Sequence, residues 1–177
     1  MDWFPAIPIV LFLSVLLYTA LVIKNEKNHF LKNAKIYRLG DFTLRIPAWW
    51  RLVKKEKNLL EFSGNKDHQA IFFWEPKALD LEDDFLDKIK KEKIIFDFQA
   101  AVLWEKTGDC PCLRVEGSAT KEEQQRLYFD ACLIEGPGGQ LFSRSYSGIL
   151  QGVLEGPWFD HILQNINILK RQEVGIS

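Results

Sequence analysis

The sequence predicts an α+β protein: an N-terminal single transmembrane helix followed by an antiparallel β-sheet packed with two helices. Three observations carry this expectation. Phe4–Ile23 contains no charged residue. Beyond it, apolar–polar alternation recurs between short reversals rich in Gly, Pro and Asn. Two further stretches, near Leu79–Lys93 and Gly156–Lys170, change to apolar spacings of three and four.

The uncharged run is 20 residues long. As a helix it rises about 30 Å, the thickness of a bilayer's hydrocarbon. Lipid offers no hydrogen bonds, so such a segment must pair its amides internally, as a helix does. Residues 1–23 therefore read as a membrane anchor. Phe4, Leu11, Phe12, Leu13, Leu16, Leu17 and Ile23 meet acyl chains, and the bilayer is the partner of residues 4–23. Trp3, Phe4 and Tyr18 lie where aromatic rings favour the lipid–water boundary. Pro5 and Pro8 fall early, where a missing N–H costs least. A cleavable signal peptide would have a basic start, an apolar core of about 7–15 residues and a small-residue cleavage site. Met1-Asp2-Trp3 has no basic side chain, and only Thr19-Ala20 hints at a cleavage site. A core helix of a soluble protein would show a polar face, and none exists here.

Lys24, Lys27, Lys32, Lys35 and Arg38 follow the run, and no basic residue precedes it. Basic flanks stay on the cytoplasmic side. The expectation is a single-pass protein with its soluble domain in the cytoplasm; the alternative is that these lysines are an ordinary solvated linker and the domain faces outward. Residues 24–35 read as a linker or a helical extension of the anchor, 36–170 as one domain and 171–177 as a tail.

Charge bounds the function. The chain has 23 Lys and Arg against 24 Asp and Glu, and only Asp2 of these precedes Lys24, so the soluble part is neutral. Nucleic-acid binders carry a basic excess or face, so no nucleic-acid partner is expected. Three cysteines make a poor disulfide framework and fit a reducing compartment better than an oxidising one.

Along the domain, Ile36–Pro47 reads as one strand, with Phe42, Leu44 and Ile46 inward and Thr43 and Arg45 outward. Asn58–Ser63 and Gln69–Trp74 are strands joined around the Gly64-Asn65 turn. Leu79–Lys93 is a helix with Leu81, Phe85, Leu86 and Ile89 on its buried stripe. Asp80 caps it, acidic residues fill its first turns and lysines its last, as the helix dipole favours. That order explains the acidic cluster without a metal. Ala100–Lys106, Cys110–Ala119, Gln124–Glu135 and Gln140–Leu150 are strands; Thr107-Gly108-Asp109 and Gly136-Pro137-Gly138-Gly139 are reversals. In the last strand Phe142, Tyr146 and Leu150 share one face, and Ser143, Ser145 and Ser147 the other. Gly156-Pro157 opens a final helix whose Phe159, Ile162, Ile166 and Leu169 are buried. Short connections favour an antiparallel sheet, and two amphipathic helices need a sheet to cover.

The stretch Phe42-Thr43-Leu44-Arg45-Ile46-Pro47-Ala48-Trp49-Trp50 resembles the F-x-x-x-x-P-x-x-W signature of the Mog/PsbP-like family. Tyr146-Ser147-Gly148, followed by Phe159, Ile162 and Asn165-Ile166-Asn167-Ile168-Leu169, is similar to that family's closing strand and helix, although the final S-F of its I-L-x-S-F motif is replaced by Lys170-Arg171. The resemblance covers about residues 36–170. It implies an α/β/α sandwich and a non-enzymatic binding role, like that of a nuclear-transport GTPase cofactor, extrinsic photosystem subunits, envelope lipoproteins and secretion-effector chaperones. Few of those relatives carry an anchor of this kind.

Candidate sites are few. Cys110-Pro111-Cys112 is a possible soft-metal or redox pair, with Cys132 as a third ligand and His68 or His161 as a fourth; the competing reading is small apolar packing. His29, His68 and His161 read as solvent-facing. No G-x-S-x-G elbow or phosphate loop is present. No catalytic residue, metal site or cofactor is expected. Adjacent Trp49 and Trp50 cannot both face inward on extended chain, so they are the candidate partner contacts, one as an interface anchor. The expected function is that of a membrane-anchored, non-catalytic accessory or assembly subunit docking an integral-membrane protein complex of photosynthetic, respiratory or secretory type. The alternatives are a carrier or sensor of a small apolar ligand or lipid, and a redox or metal protein built on Cys110 and Cys112.

Overall fold

The computed structural model describes residues 6–77, 80–97, 103–107, 110–121 and 125–168. The chain divides into two compact units, Met1–Ala34 and Lys35–Ser177.

The first unit is one helix, α1 (Ala6–Asn33). It continues through the residues that read as a linker, so that segment is a helical extension. From Pro8 onward it is long and apolar enough to cross a membrane by length and composition. Leu11, Phe12, Leu13, Leu16, Leu17 and Ile23 are all exposed on it; Phe4 lies outside the described residues. Its two hydroxyls turn back on the backbone: Ser14 Oγ donates to the Val10 carbonyl at 2.8 Å and Thr19 Oγ1 to the Val15 carbonyl at 2.9 Å. Neither therefore presents an unpaired donor to an apolar surrounding.

The second unit contains two antiparallel sheets. β1 (Lys35–Leu39) and β2 (Phe42–Ile46) form a hairpin, and β11 (Asn167–Ile168) adds to β2. The large sheet contains β3 (Arg51–Lys55), β4 (Leu59–Ser63), β5 (Gln69–Glu75), β6 (Ile94–Phe96), β7 (Leu103–Thr107), β8 (Cys110–Lys121), β9 (Gln125–Glu135) and β10 (Gln140–Ser147), in the order β3-β4-β5-β10-β9-β8-β6, with β7 also paired to β8. Two helices complete the unit: α2 (Leu81–Lys91) after β5, and α3 (Ile149–Gln164) after β10.

One face of the large sheet is covered by α2. Phe85 is buried there among Leu113, Val115, Leu127, Phe129, Leu133 and Phe142. Asp80 caps α2 as expected, its Oδ1 accepting from the amides of Glu82 and Asp83 at 2.9 and 3.0 Å. The acidic first turn and the last-turn lysines are also as read. On the other face Phe72 meets Phe62 edge-on and Phe159 at a tilt, each with a centroid spacing of 6.0 Å. Tyr37 of the small sheet meets Phe62 edge-on at 5.1 Å. The result is the α+β architecture the sequence implied, with the sheet between layers.

Four local readings change. Ile36–Pro47 is two strands rather than one, because Gly40 turns the chain with φ +57°, and any Cβ there would strike the Trp74 indole at 2.1 Å. β3 has an exposed, basic sequence with no alternation, as suits a sheet edge. β10 is central and buried on both faces: Ser143, Ser145 and Ser147 face inward, and Leu150 belongs to α3. The last helix runs from Ile149 to Gln164 rather than from Gly156 to Lys170, contains Pro157 in its interior, and leaves Ile166 beyond its end, next to β11. Glycine disfavours a helix interior, yet Gly152 sits where a Cβ would meet the Cβ of Tyr128 at 2.4 Å. The close approach of α3 to β9 requires it. Leu169, the Gly108-Asp109 reversal and the tail 171–177 lie outside the described residues.

Candidate binding surface along helix α3

α3 is apolar around most of its circumference, which normally marks a helix enclosed on all sides. Here its sheet-facing side carries Phe159, Ile162 and Leu163, all buried. Its opposite side carries Leu150 and Leu154, spaced i, i+4, with 76% and 59% of their surfaces open. Gly152 and Gly156 lie on the sheet side, so this division follows from the helical period. Trp158 continues the leucine stripe one turn further. Trp49 meets it edge-on, with centroids 5.1 Å apart and planes at 81°. Leu150, Leu154 and Trp158 follow the i, i+4 spacing and Trp49 packs on Trp158, so the four form an apolar row whose open part is Leu150 and Leu154.

The two candidate tryptophans separate, but in a turn rather than on extended chain: the Trp50 amide donates to the Pro47 carbonyl at 3.1 Å. Trp49 is 38% exposed and Trp50 is 1% exposed. Trp50 is therefore removed as a contact residue. Its indole N–H donates to Glu155 Oε2 at 3.1 Å, and Asn65 Nδ2 donates to Glu155 Oε1 at 2.7 Å. These bonds hold a buried carboxylate that would otherwise be costly. His68 joins the same region. It is buried rather than solvent-facing, its ring lies 4.6 Å from that of Trp50, and Nε2 shares a 2.8 Å hydrogen bond with Ser145 Oγ. Burial pushes its pKa down to about 4, against the pull of Glu155 and Asp67. Asp67 in turn accepts from the Gly148 amide at 2.8 Å. It thereby fixes the start of a helix whose own N-cap has no side chain. Glu155 and Leu154 escaped the sequence reading, in which Asn65 is only a turn residue and Leu150 only a strand residue; the leucine i, i+4 pair opposite two glycines was the available signal.

On the other flank of α3 an open cleft of about 430 Å³ is lined by Arg114, Glu116, Tyr128, Asp130, Gly152, Gly156, Pro157 and Asp160. Arg114 donates to Asp130 through Nε (3.1 Å) and an Nη (2.7 Å), and reaches Asp160 at 2.8 Å and Glu116 at 3.0 Å. Burial opposes the guanidinium's charge, but these carboxylates outweigh it and hold its pKa above the ordinary value. One cation serves three carboxylates, so the buried Asp130 remains undercompensated. Burial raises its pKa to about 6 despite Arg114. Burial also pushes Tyr128 up to about 12, helped by Glu116.

Cys110 and Cys112 lie two residues apart on β8, about 6–7 Å along the strand. Cys112 Sγ lies 2.7 Å from Cys132 Sγ across β8 and β9, and Cys110 is half-buried. Among the described residues no group of three or more His, Cys, Asp or Glu side chains is arranged to hold a metal ion. His161 packs against Trp158 with centroids 6.5 Å apart.

No family model matches the sequence, and no curated protein matches it. Solved structures do match. The Ran-binding protein Mog1p of Saccharomyces cerevisiae aligns with TM-score 0.54 and 9% identity, over 78% of this chain and 96% of that one. The cyanobacterial PsbP of Synechocystis sp. PCC 6803 aligns with TM-score 0.53 and 11% identity, over 77% and 93%. LpqN, involved in cell envelope biogenesis of Mycobacterium tuberculosis, aligns with TM-score 0.50 and 12% identity, over 80% and 95%. A Bacteroides thetaiotaomicron structure aligns over half of its own length, with TM-score 0.53 and 14% identity. At these identities the likeness is one of fold. The chain has the PsbP/Mog-like fold, as the Phe42–Trp50 signature implied.

Proposed function

We propose that this chain, a PsbP/Mog-like sandwich joined to an apolar helix, is a single-pass membrane-anchored accessory or assembly subunit without catalytic activity of its own. α1 lies in the bilayer, and the domain docks an integral-membrane protein complex through the ridge Leu150–Leu154–Trp158–Trp49. The observation that carries this reading is the open leucine stripe on α3. Exposed leucines in one continuous row on an ordered helix mark an interaction surface, and aromatic residues at its end suit an interface anchor. The anchor raises the domain's effective concentration near membrane partners. The fold's occurrence in a Ran-binding protein and in a cell-envelope protein supports a binding role by analogy. The basic residues Lys24, Lys27, Lys32, Lys35 and Arg38 favour a cytoplasmic domain.

The apolar-ligand carrier is the weaker reading. The 430 Å³ cleft is lined by an arginine and three carboxylates, which do not suit an acyl chain.

The test is copurification from membranes in mild detergent, comparing the wild-type chain with Leu150→Asp/Leu154→Asp. Both leucines are exposed, so the double variant should fold with an unchanged melting temperature. The expected result is a membrane protein that accompanies the wild type and is lost from the variant. Recovery of the wild-type chain alone, or a companion that the variant retains, sinks the docking reading. Carbonate extraction tests the anchor separately: the chain should stay in the membrane pellet, and release into the supernatant overturns that part.

A further inference from the structure

The Cys112–Cys132 thiol pair has no role in the docking surface, and its geometry is specific. In the register of β8 and β9, Cys112 faces Ile134 and Arg114 faces Cys132. The two cysteines are therefore diagonal neighbours on one sheet face. Both are buried, at 1% and 0% exposure. Their sulfurs lie 2.7 Å apart, inside ordinary non-bonded contact and about 0.7 Å beyond the length of a disulfide bond. Cys132 is also held from behind, because Ser143 Oγ donates to its carbonyl at 3.2 Å from the neighbouring strand.

We propose that Cys112 and Cys132 are a disulfide-forming site, held as two thiols in a reducing cytoplasm and closed when the folding chain meets a disulfide oxidant, and that Cys110 stays outside it. The reaction balances by thiol–disulfide exchange. Two S–H bonds break and one S–S bond forms between Cys112 and Cys132. The oxidant's own disulfide takes up the two electrons and two protons and leaves as two thiols. Burial, together with the adjacent Cys112 thiol, holds the Cys132 thiol well above its ordinary pKa. Thiolate is scarce in the folded sheet, and exchange there is slow. The bond forms as β8 and β9 pair and bring the two sulfurs together, before the sheet is covered, and once enclosed it resists external thiols.

The experiment uses the full chain in detergent micelles. It is unfolded and reduced in urea, then refolded either with oxidised and reduced glutathione or with dithiothreitol alone. Free thiols are then alkylated under denaturing conditions and the protein is digested for mass spectrometry. Refolding in the glutathione mixture should give a Cys112–Cys132 linked peptide and lower alkylation of both residues at least about tenfold, with Cys110 still alkylated. Cys110→Ser should form the same link. Cys132→Ala should leave Cys112 alkylated; if that variant does not fold, the linked peptide from the wild type and from Cys110→Ser decides alone. Three alkylated cysteines after glutathione refolding, or a link that includes Cys110, overturns the proposal. A linked species that dithiothreitol reduces as fast in the folded protein as in urea overturns the enclosed position of the bond.

Discussion

His68 and Asp130 illustrate how single residues set the pH response. The neutral form of His68 is favoured by burial, with its pKa near 4 in the folded chain against about 6.5 unfolded. The unfolded state therefore binds more protons between these values. The contribution of His68 is full above about pH 6.5 and is lost as the pH falls towards 4. Asp130 has the opposite sign. Its pKa is raised to about 6 against about 3.9 unfolded, so its contribution is full below about pH 3.9 and is lost as the pH rises through 6. Each effect is worth about 3 kcal/mol, and the two offset one another between pH 4 and 6. Relative to wild type, His68→Gln should become more stable by several degrees of melting temperature as the pH is lowered from 7 to 4.5, and Asp130→Asn less stable. Thermal melts across that range, followed by circular dichroism, decide the matter; parallel curves for all three proteins refute it. Trp50→Phe should cost about 1–2 kcal/mol, because it leaves Glu155 buried with one fewer donor; urea unfolding measures it. These residues also mark where the sequence stopped being legible. The alternation Phe42, Leu44, Ile46 gives a strand face directly. Trp50 and Glu155 are 105 positions apart, and no local pattern announces their hydrogen bond. His68 reads as a turn residue because only the folded sheet brings Ser145 over it.

At the level of elements, α2 and α3 show opposite degrees of legibility. α2 carries its instructions locally: a capping Asp80, acids in the first turn, lysines in the last and a four-residue apolar stripe. Asp80→Ala should therefore lower stability by about 1 kcal/mol, and a urea midpoint unchanged from wild type would contradict the cap's role. α3 carries local signals that mislead. Gly152, Gly156 and Pro157 all disfavour helix interiors, and Gly156-Pro157 places the expected start of the helix at Gly156 rather than Ile149. Packing overrides them, since α3 lies against Tyr128 where a side chain has no room. Gly152→Ala raises helix propensity yet should destabilise by about 1–3 kcal/mol through overpacking. A stabilised variant would mean that α3 moves freely from β9. Gly40 has the same origin at smaller scale: the positive φ it supplies divides one apparent strand into a hairpin.

For the whole molecule, the apolar helix and the sandwich were the most legible features, because composition over 20 residues and periodicity over whole strands average out local exceptions. The partner surface was the least legible. One ridge residue, Trp49, stands out in the sequence; Leu150 reads as part of a strand. Trp49→Ala with Leu154→Asp should abolish copurification of the membrane partner while leaving the far-ultraviolet spectrum unchanged, and retention of the partner places the interface elsewhere. Topology belongs to this scale too. Lys66 is exposed in the turn between β4 and β5, so Lys66→Cys in a Cys110→Ser background offers an accessible thiol. A cysteine-directed reagent that cannot cross membranes should label it only after the cells are permeabilised if the domain is cytoplasmic. Labelling of intact cells puts the domain on the opposite side.

The position of β10 bears on synthesis of the protein. This strand joins β5 on one side to β9 on the other, yet it is nearly the last strand to leave the ribosome. Until it emerges, the growing polypeptide carries two half-sheets, each with an unfinished margin able to pair with a neighbouring nascent chain. A message truncated before Gln140 would therefore encode a product with no keystone, prone to clump rather than fold, and dependent on chaperones during its final seconds of translation.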